Sequence, residues 1–509
     1  VPPQKQTYVS HCGYRMAEVT GSPLLIKDRV VEVAKNDSSL PIWQFVLFCF
    51  VFAVEGADGA LLPACAYAMQ RDLDLPLSTL SAMNLAQAVA IALSAPLWGV
   101  LADRRVIAKK TLLCFGGVMQ GLITMSLAFP VVTGCTWLMI ALRAFNGVML
   151  GSLKPIVIGI VAGATPELKR GKVYSVLQVF LAIGAMLAVQ VATPLSVRLV
   201  FGVVFGWRVA FIAFGAFAGL TGLLICACMD EAKATGDIEP DTSCYGKFKV
   251  EVNIFGAYLK MPSFVCLVLQ GMIGAVPWQG FNYNTLYFQM TGLSSAAAAS
   301  LNTIFALGFT VGTMLGGIIG DALAKRCPNS GRPFTANMSV AAGIPLAFLI
   351  FVVPPPTGWQ PFWWYGFLLM VMGLTASWTC TGVNWPILAE LVDVQRSSSI
   401  LAWESALESS VAAIAGNAAV GFLAMNVFGY NLEDAKHKFH AGGSDPSNAH
   451  ALGMAISLTA LPPWVLCFLF YIVLHWAYPH DKKRLARGNS STDCCSSSSG
   501  SSSEASEDE

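Results

Sequence analysis

Six ionisable side chains lie inside long apolar stretches of this sequence, where they could carry a proton or form ion pairs. The first stretch holds two acids, the fourth two cations and the eleventh two acids: Glu55, Asp58, Arg143, Lys154, Glu404 and Glu408. A charge at the centre of a bilayer costs about 2.5–3.5 kcal/mol on insertion scales, so such groups pair with each other or face water. These six residues are therefore the candidates for proton or ion chemistry.

Spacing and depth define which of these charges can meet. Glu55 and Asp58 are three residues apart and share one helical face. At about 1.5 Å per residue, Asp58 lies roughly 16 Å and Arg143 roughly 10 Å below the same membrane surface. Glu55 and Lys154 both lie deeper than these two. The depths permit Asp58–Arg143 and Glu55–Lys154 pairs without requiring them.

The acids of the first stretch have two interpretations. A buried carboxyl group beside a cation can exchange a proton when its surroundings change. In the first interpretation Asp58 or Glu55 takes and releases a coupling proton, and Arg143 adjusts its affinity for that proton. In the second, a static ion pair holds the first and fourth helices together.

The acids of the eleventh stretch are weighed separately. Glu404 and Glu408 are four residues apart on one helical face. Glu404 lies roughly 9 Å from the predicted cytoplasmic end, and Glu408 is deeper. Ser409 and Ser410 follow Glu408 and can donate hydrogen bonds. This pair is predicted either to serve the packing of its bundle or to form a second proton site.

The composition identifies the elements that must position these charges. Of the 509 residues, 55% are hydrophobic and only 12% are charged, whereas soluble domains carry about 25% charged residues. This excludes a conventional soluble enzyme, a disordered protein and a secreted disulfide scaffold. The 14 cysteines lie mostly singly within apolar runs, and the net charge of +1 gives no indication of a nucleic-acid partner. The chain is predicted to be a polytopic membrane protein.

A membrane-spanning helix needs about 20 mostly apolar residues. Twelve stretches qualify, six on each side of a polar linker: 42–69, 79–102, 111–130, 136–163, 173–194, 208–228, 264–288, 298–320, 333–353, 363–389, 398–427 and 451–477. The prediction is an all-α integral membrane protein with twelve transmembrane helices in two six-helix bundles. Its expected parts are an N-terminal tail (1–39), a first bundle (40–229), a linker (230–262), a second bundle (263–478) and a disordered, serine-rich acidic tail (479–509).

Lysine and arginine are concentrated in alternate connections between these stretches. The connections after the second, fourth, eighth and tenth stretches are basic, whereas those on the other side hold only Arg71, Arg198, Lys436 and Lys438. Basic connections stay on the cytoplasmic side. Both termini are therefore predicted to be cytoplasmic. The sequence leaves open whether the host is the plasma membrane or an internal membrane.

An internal repeat supports the division into two bundles. After the second and the eighth stretch, a glycine lies four residues before an aspartate, and basic residues follow. The residues concerned are Gly99, Asp103 and Arg104 in the first copy and Gly317, Asp321 and Arg326 in the second. Two copies with the same topology would be related by an axis along the membrane normal.

These segments resemble the major facilitator superfamily. Its G-x-L-A-D-R signature is matched from Gly99 to Arg104, although Val106 and Ile107 stand where a later glycine and arginine belong. Two further motifs match in order: Arg143-x-x-x-Gly147 and Gly206-Trp207-Arg208. The resemblance implies two bundles that rock around a central site. It also implies that Asp103 and Asp321 help to hold a cytoplasmic gate closed.

Within that superfamily, the chain is similar to the spinster-like branch and its plant and protist relatives. The similarity lies in the acidic first stretch, in the segment from Arg396 through Trp403 to Glu408, and in the closing Tyr478-Pro479-His480-Asp481. Helices one, four, seven and ten line the cavity in this family. Helices seven and ten offer aromatic and amide side chains as substrate contacts: Trp278, Asn282, Tyr283, Trp378, Asn384 and Trp385.

Uncharged hydrogen-bonding groups among aromatic rings suit an uncharged or zwitterionic organic ligand with apolar parts. Tyrosine and tryptophan near helix ends also form belts at the membrane interface, which is the alternative reading of the same residues. Arg143 or Lys154 could bind a carboxylate or phosphate.

The sequence therefore predicts a proton-coupled secondary transporter of a small organic solute or an amphipathic lipid, working by alternating access. The alternatives are a facilitative uniporter and, from another class, a non-transporting membrane receptor. No enzyme, cofactor or metal site is expected, because no nucleophile–base pair or metal-ligand cluster is readable. The expected partners are the small molecule or lipid, protons and membrane lipids, with no nucleic acid and a monomeric state.

Overall fold

In a computed structural model of the chain, the residues described are 41–103, 107–164, 167–200, 202–229, 253, 255–392, 397–431 and 444–497. From Leu40 onward the chain forms one compact unit. The predicted N-terminal tail (1–39), residues 230–252 and 254 of the predicted linker (230–262), and Arg104 lie outside the described residues.

The first half of the chain contains six long helices. They are α1 (Ile42–Leu73), α2 (Leu77–Asp103), α3 (Lys109–Ser126), α4 (Thr136–Ala164), α5 (Glu167–Ser196) and α6 (Gly206–Cys228). A single helical turn, Pro130–Thr133, precedes α4. A short antiparallel hairpin of β1 (Leu199–Val200) and β2 (Val204–Phe205) joins α5 to α6, with Leu199 opposite Phe205.

The second half repeats this order, with interruptions in three helices. They are α7 (Pro262–Gly274, Val276–Gly280 and Asn284–Met290), α8 (Ser295–Arg326), α9 (Gly331–Phe351), α10 (Pro361–Ala376 and Trp385–Leu391), α11 (Ser397–Ala412 and Ala418–Asn426) and α12 (Pro446–Ser497). Pro277 interrupts α7, whereas α10 and α11 contain π-helical turns at Cys380–Asn384 and Ala413–Asn417. Such turns often occur at functional sites.

Eleven of the described helices are long and apolar enough to cross a membrane. The remaining predicted stretch, 111–130, corresponds to α3, which has 18 residues and begins with Lys109 and Lys110. Each predicted stretch thus has a helix, and the predicted fold class is confirmed. The tail differs from expectation, because α12 continues to Ser497 and so extends well past residue 479.

The two halves pair their helices in the same way. In the first bundle α1 packs on α5, α2 on α4 and α3 on α6; in the second α7 packs on α11, α8 on α10 and α9 on α12. Buried apolar residues of the first bundle form two clusters, one around Leu61, Leu62 and Trp207 and the other around Phe48 and Phe52. Along α1, Asp58 lies between these clusters.

Glycine permits the closest of these helix contacts. A Cβ on Gly121 of α3 would lie 2.5 Å from Gly215 O and from Gly219 N of α6. In the second bundle a Cβ on Gly312 of α8 would collide with Gly373 of α10. Small residues at helix interfaces are a general means of packing in membranes, where backbones must approach closely to gain van der Waals contact.

We expect Gly121→Ala to lower the thermal unfolding midpoint of the purified protein, because the added methyl group forces α3 and α6 apart. Gly219→Ala is the matched control at the same interface, since a Cβ there would meet nothing within 4 Å. That control should leave the midpoint unchanged or raise it, because alanine favours a helix over glycine by about 1 kcal/mol. Equal midpoints for the two variants would contradict this packing.

Candidate functional site

The carboxylate of Asp58 is the best-connected polar group of the first bundle. Its side chain is 2% exposed, and hydrogen-bond donors from α2, α3 and α4 surround it. The donors are Gln87 Nε2 at 2.6 Å, Thr124 Oγ1 at 2.8 Å, Gln120 Nε2 at 3.0 Å, Arg143 Nη1 at 3.4 Å and Asn146 Nδ2 at 3.4 Å. These hydrogen bonds offset the cost of removing a carboxylate from water.

Gln87 connects the aspartate to the arginine. Its amide nitrogen donates to Asp58 and, at 2.8 Å, to Asn146 Oδ1, while its carbonyl oxygen accepts from Arg143 Nη2. Arg143 is fully buried and forms an ion pair of 3.4 Å with Asp58. The pairing of Asp58 with Arg143, permitted by their predicted depths, is therefore present. The proton-coupling role of the pair stays a prediction.

Two glycines bring the helices close enough for this network. A Cβ on Gly147 of α4 would collide with the backbone carbonyl of Gln87, so its absence lets α4 approach α2 at that position. A Cβ on Gly56 of α1 would likewise collide with Leu181 of α5. The Arg143-x-x-x-Gly147 motif thus places its arginine and its close contact one helical turn apart on the same face.

Glu55 and Lys154 form the second pair of the first bundle, in a more open setting. Glu55 Oε1 lies 3.9 Å from Lys154 Nζ, and the two side chains are 20% and 40% exposed. Glu55 Oε2 is buried and has no hydrogen-bond partner among the described atoms. This pair lies one turn of α1 from Asp58, towards the end of the bundle predicted to face the cytoplasm.

The acids of α11 face α7. A Cβ on Gly271 would lie 3.3 Å from Glu408 Oε2 and 3.9 Å from Glu404 Oε1, so both carboxylates reach the same point of the α7 backbone. Glu404 is 5% exposed. These two acids are therefore brought together, but in the second bundle and apart from the acids of α1.

A small cavity of about 40 Å³ adjoins the α11 acids inside the second bundle. Trp278 and Trp464 line it with their rings, together with Gln270, Asn384, Cys467 and Glu408. The centroids of the two indole rings are 5.6 Å apart. Of the predicted substrate contacts, Trp278 and Asn384 line this cavity.

The other predicted substrate contacts lie elsewhere. Tyr283 donates its hydroxyl hydrogen to Ser81 Oγ of α2 at 2.8 Å and is buried between the bundles. Asn282 contacts Gln279 at 3.2 Å, and the indole nitrogen of Trp378 donates to Leu374 O at 2.6 Å. Trp385 is 53% exposed, an exposure that suits an interface residue better than a cavity wall.

The repeated gate motif is partly described. The side chain of Asp103 and all of Arg104 lie outside the described residues. Gly99 and Gly317 occupy equivalent positions, and a Cβ on either would meet nothing within 4 Å. Asp321 pairs with Arg332 of α9 at 3.2 Å, whereas Arg326 is an exposed residue at the end of α8. The two motif glycines thus face open space in this conformation.

A charge network that the sequence reasoning missed joins α9, α10 and α12. Glu390 lies 3.6 Å from Arg332 Nε, accepts from Lys482 Nζ at 2.8 Å and accepts from Tyr478 Oη at 2.5 Å. Burial opposes ionisation, but the hydrogen bonds from Lys482 and Tyr478 and the nearby cations outweigh it and lower the pKa of Glu390. In the sequence Arg332 and Lys482 are basic residues near the ends of predicted stretches, and no other signal indicates this contact.

The closing Tyr478-Pro479-His480-Asp481 segment has a structural role. Asp481 Oδ2 accepts from the backbone nitrogen of Ser263 at 2.8 Å and from its hydroxyl at 2.6 Å. The first of these bonds satisfies the free backbone N–H of Ser263 at the start of α7. The same segment supplies Tyr478 to Glu390, so it joins α12 to both α7 and α10.

The hydrogen bonds between the two bundles that the described residues show include four in the half nearer the predicted outer end. They are Tyr430 to Gln70 at 3.0 Å, Ser78 to Met425 at 3.3 Å, Tyr283 to Ser81 at 2.8 Å and Gln190 to Thr303 at 2.5 Å. At the opposite end, the salt bridges of Asp321, Arg332, Glu390 and Lys482 lie within the second bundle.

The two six-helix bundles and their buried charges define a polytopic membrane protein of the transporter class. Residues 47–416 match the family model of the Major Facilitator Superfamily, and the chain belongs to that superfamily. The predictions of a multi-pass membrane transporter and of a protein that is not an enzyme are therefore confirmed. Comparison with curated protein sequences gave no significant match.

Several solved structures share the fold. A bacterial homolog to the human lysosomal transporter Spinster, in an inward-facing and unoccupied conformation, has a TM-score of 0.70 and 15% identity, over 88% of this chain and 99% of that chain. Its inward-facing and occupied form has a TM-score of 0.65 and 16% identity, over 87% and 97%. A D-xylose-proton symporter has a TM-score of 0.59 and 15% identity, over 82% and 96%. At these identities the likeness establishes the fold.

We expect Arg143→Met to destabilise the purified protein strongly, because it leaves the Asp58 carboxylate buried without its cation. Removing one partner of a buried pair costs about 3–5 kcal/mol. Adding Asp58→Asn to Arg143→Met should recover part of that loss, as the thermal unfolding midpoint of the double variant will show.

Lys154→Met is the matched control, because it removes the cation of the partly exposed pair. Exposed pairs contribute about 0–1 kcal/mol, so its midpoint should stay close to that of the unaltered protein. If Arg143→Met and Lys154→Met shift the midpoint equally, the distinction between a buried and an open pair is wrong.

Proposed function

We propose that this protein is a proton-coupled secondary transporter that moves a small organic solute or an amphipathic lipid by alternating access. The observation that carries the proposal is the Asp58 carboxylate, which is buried at the middle of α1, paired with Arg143 and held by donors from three other helices. A proton bound there changes the packing of four helices at once.

The hydrogen-bond geometry supports this role for Asp58. An ionised carboxylate accepts hydrogen bonds only, whereas a protonated one must donate through one of its oxygens. Protonation therefore removes the attraction to Arg143 and puts a donor where Gln87 or Thr124 already donates. The surrounding side chains must rearrange, which couples proton binding to the positions of α2, α3 and α4.

Glu55 and Lys154 supply the accessible side of the same site. Their side chains are 20% and 40% exposed, and Glu55 lies one turn from Asp58 towards the predicted cytoplasmic end. In the proposed mechanism a proton reaches Asp58 by way of Glu55, and the positive charge of Lys154 favours release of that proton from Glu55. Both acids of α1 are thus assigned to coupling.

The contacts between the bundles support alternating access. Hydrogen bonds such as Gln190–Thr303 and Tyr283–Ser81 close the predicted outer end, while the motif glycines Gly99 and Gly317 face open space. We assign this arrangement to the inward-facing state. In the opposite state, the two glycines would allow close contact at the cytoplasmic gate, with Asp103 and Asp321 holding it closed.

The remaining assignments follow the sequence. The basic connections support cytoplasmic termini, and the indole and amide groups lining the second-bundle cavity favour an organic substrate with apolar parts. The spinster-like motifs and the fold of the bacterial Spinster homolog support that branch of the superfamily. We propose a monomer as the working unit.

We expect Asp58→Asn and Glu55→Gln each to abolish uptake driven by an imposed pH gradient, because neither variant can release a proton at the altered position. The assay uses proteoliposomes loaded with a pH-sensitive dye. A panel of a lysophospholipid, a pentose, a nucleoside and a dipeptide is added from outside. For any compound that moves protons, both variants should lose about tenfold or more of the proton flux but retain exchange of that compound without a gradient.

Asp72→Asn is the matched control, because Asp72 is an acid of the same helix. It binds Trp207 Nε1 at 2.8 Å and Arg208 Nη2 at 3.1 Å near the predicted outer end, so gradient-driven uptake should persist. Flux that ignores the pH gradient in the unaltered protein would identify a uniporter. Binding of a panel compound without any flux would identify a receptor, and either result would contradict the proposal.

A second prediction concerns the closed end. Gln190 Nε2 of α5 and Thr303 Oγ1 of α8 are 2.5 Å apart across the bundle interface. Cross-linking Gln190→Cys to Thr303→Cys should hold this end closed and stop transport of whichever panel compound is active. Reduction of the cross-link should restore it.

The control cross-link lies within one bundle. Asn302 Nδ2 of α8 donates to Thr285 Oγ1 of α7 at 2.9 Å, so Asn302→Cys joined to Thr285→Cys should leave transport largely intact. Undiminished transport with the 190–303 cross-link in place would show that the two bundles do not need to separate there.

A further inference from the structure

The exposed face of α12 changes from apolar to basic as the helix reaches the predicted cytoplasmic end. Tyr471, Leu474 and Asp481 lie on the other side of the helix and are buried in the bundle. Exposed apolar side chains recur at helical spacing on the free side: Val465, Leu469, Ile472, Val473 and Trp476. Because the protein spans a membrane, this side of α12 meets lipid.

Basic side chains continue the same face beyond the apolar part. His480, Lys483 and Arg484 are exposed, and they follow Trp476 by four, seven and eight residues. This spacing keeps them on the side of the helix that carries the indole ring. Lys482 lies on another side and pairs with Glu390 at 2.8 Å. We call the exposed face from Val465 to Arg484 the α12 stripe.

Trp476 marks the depth at which the α12 stripe leaves the hydrocarbon. Its side chain is 65% exposed, and indole rings prefer the boundary between acyl chains and headgroups. The imidazole ring of His480 stacks on it, with centroids 5.7 Å apart and planes at 20°. At about 1.5 Å per residue, Lys483 and Arg484 lie roughly 10–12 Å further along the helix axis. Helical side chains lean towards the N-terminus of their helix, so both cations reach back towards the headgroup layer.

The acid of this segment is turned away from the lipid. Asp481 is buried and accepts hydrogen bonds from the backbone nitrogen and the hydroxyl of Ser263 in α7. Its other oxygen lies 3.5 Å from His480 Nδ1. Within the described part of the chain, neither Lys483 nor Arg484 forms a salt bridge. The positive charge of these two side chains is therefore available to an anion at the membrane surface.

We propose that the α12 stripe binds an anionic phospholipid of the predicted cytoplasmic leaflet. The lipid phosphate lies at Lys483 and Arg484, Trp476 contacts the glycerol region, and the acyl chains run along the apolar part of the stripe. The continuous apolar surface below the two cations favours a lipid over a free anion. The bound lipid holds α12 at a fixed depth, and Asp481 carries that restraint to α7. The site does not depend on the transport mechanism or on proton coupling.

The test compares two phospholipids with the same acyl chains. Palmitoyl-oleoyl phosphatidylglycerol is anionic, whereas the corresponding phosphatidylcholine has the same phosphate but no net charge. Native mass spectrometry of the full chain gives the dissociation constant of the first bound lipid, and the thermal unfolding midpoint is measured in parallel. We expect phosphatidylglycerol to bind about tenfold more tightly and to raise the midpoint more, because acidic lipids attract basic side chains at the surface.

Variants of the two cations test the position of the site. Lys483→Gln and Arg484→Gln should each weaken phosphatidylglycerol binding about fivefold and leave phosphatidylcholine binding unchanged. Arg484→Lys should retain the binding of the unaltered protein, because it keeps the charge. Both glutamine variants alter exposed side chains, so the fold should persist.

Two controls separate this site from the general positive charge of the surface. Lys482→Gln removes a cation of the same helix that faces Glu390. Lys325→Gln removes an exposed cation at the end of α8, where no aromatic residue lies in the last three turns. Both variants should keep the full preference for phosphatidylglycerol. A loss in Lys325→Gln equal to that in Arg484→Gln would overturn the proposal.

Inorganic phosphate distinguishes a lipid site from an anion site. Sodium phosphate should raise the midpoint no more than sodium chloride of the same ionic strength, because it makes no contact with the apolar part of the stripe. Stabilisation by phosphate that matches that by phosphatidylglycerol would contradict a lipid site. Equal binding of the two phospholipids by the unaltered protein would contradict an anionic one.

Discussion

The buried carboxylate of Asp58 constrains the whole first bundle. A charge in this environment persists only if cations and dipoles surround it, and Arg143, Gln87, Gln120, Thr124 and Asn146 provide them. Their positions require α2, α3 and α4 to meet around α1 at one depth, between two apolar clusters. Gly147 makes the approach of α4 possible, so motif, packing and charge form one arrangement.

The two bundles share a topology but differ in their buried charge. The first places opposite charges together, as Asp58 with Arg143 and Glu55 with Lys154. The second places Glu404 beside Glu408 and surrounds them with indole, amide and thiol groups. In our account the first bundle holds the coupling proton.

The sequence predicts much of the fold, because apolar length and basic connections locate the helices. The predicted depths of the four charged side chains in the membrane also permit both ion pairs of the first bundle. The neutral partners of Asp58 were not foreseen, although Gln87, Gln120 and Asn146 stand out as amides within apolar runs. Which amide meets which carboxylate depends on the rotation and tilt of each helix, and local pattern does not encode these.

The same limit explains the remaining differences. Arg332, Glu390 and Lys482 come together from three helices, and their separation along the chain hides the contact. Tyr283 belongs to α7, one of the helices that the resemblance assigns to the cavity. An interruption of α7 instead directs its hydroxyl to Ser81 between the bundles. Trp464 was overlooked because it lies in α12, outside the helices that the family resemblance assigns to the cavity.

The most direct test of the account is the distance between the bundles at the predicted cytoplasmic end as a function of pH. Double electron–electron resonance between two spin labels would report this distance. The labels are attached at Ile107→Cys and Cys327, in the α2–α3 and α8–α9 connections, and the other cysteines of the chain are replaced. We predict that acidification shifts the distance distribution. Asp58→Asn should hold it at the acidic position at every pH, whereas Asp72→Asn should behave as the unaltered chain. A pH-dependent shift that persists unchanged in Asp58→Asn would contradict it.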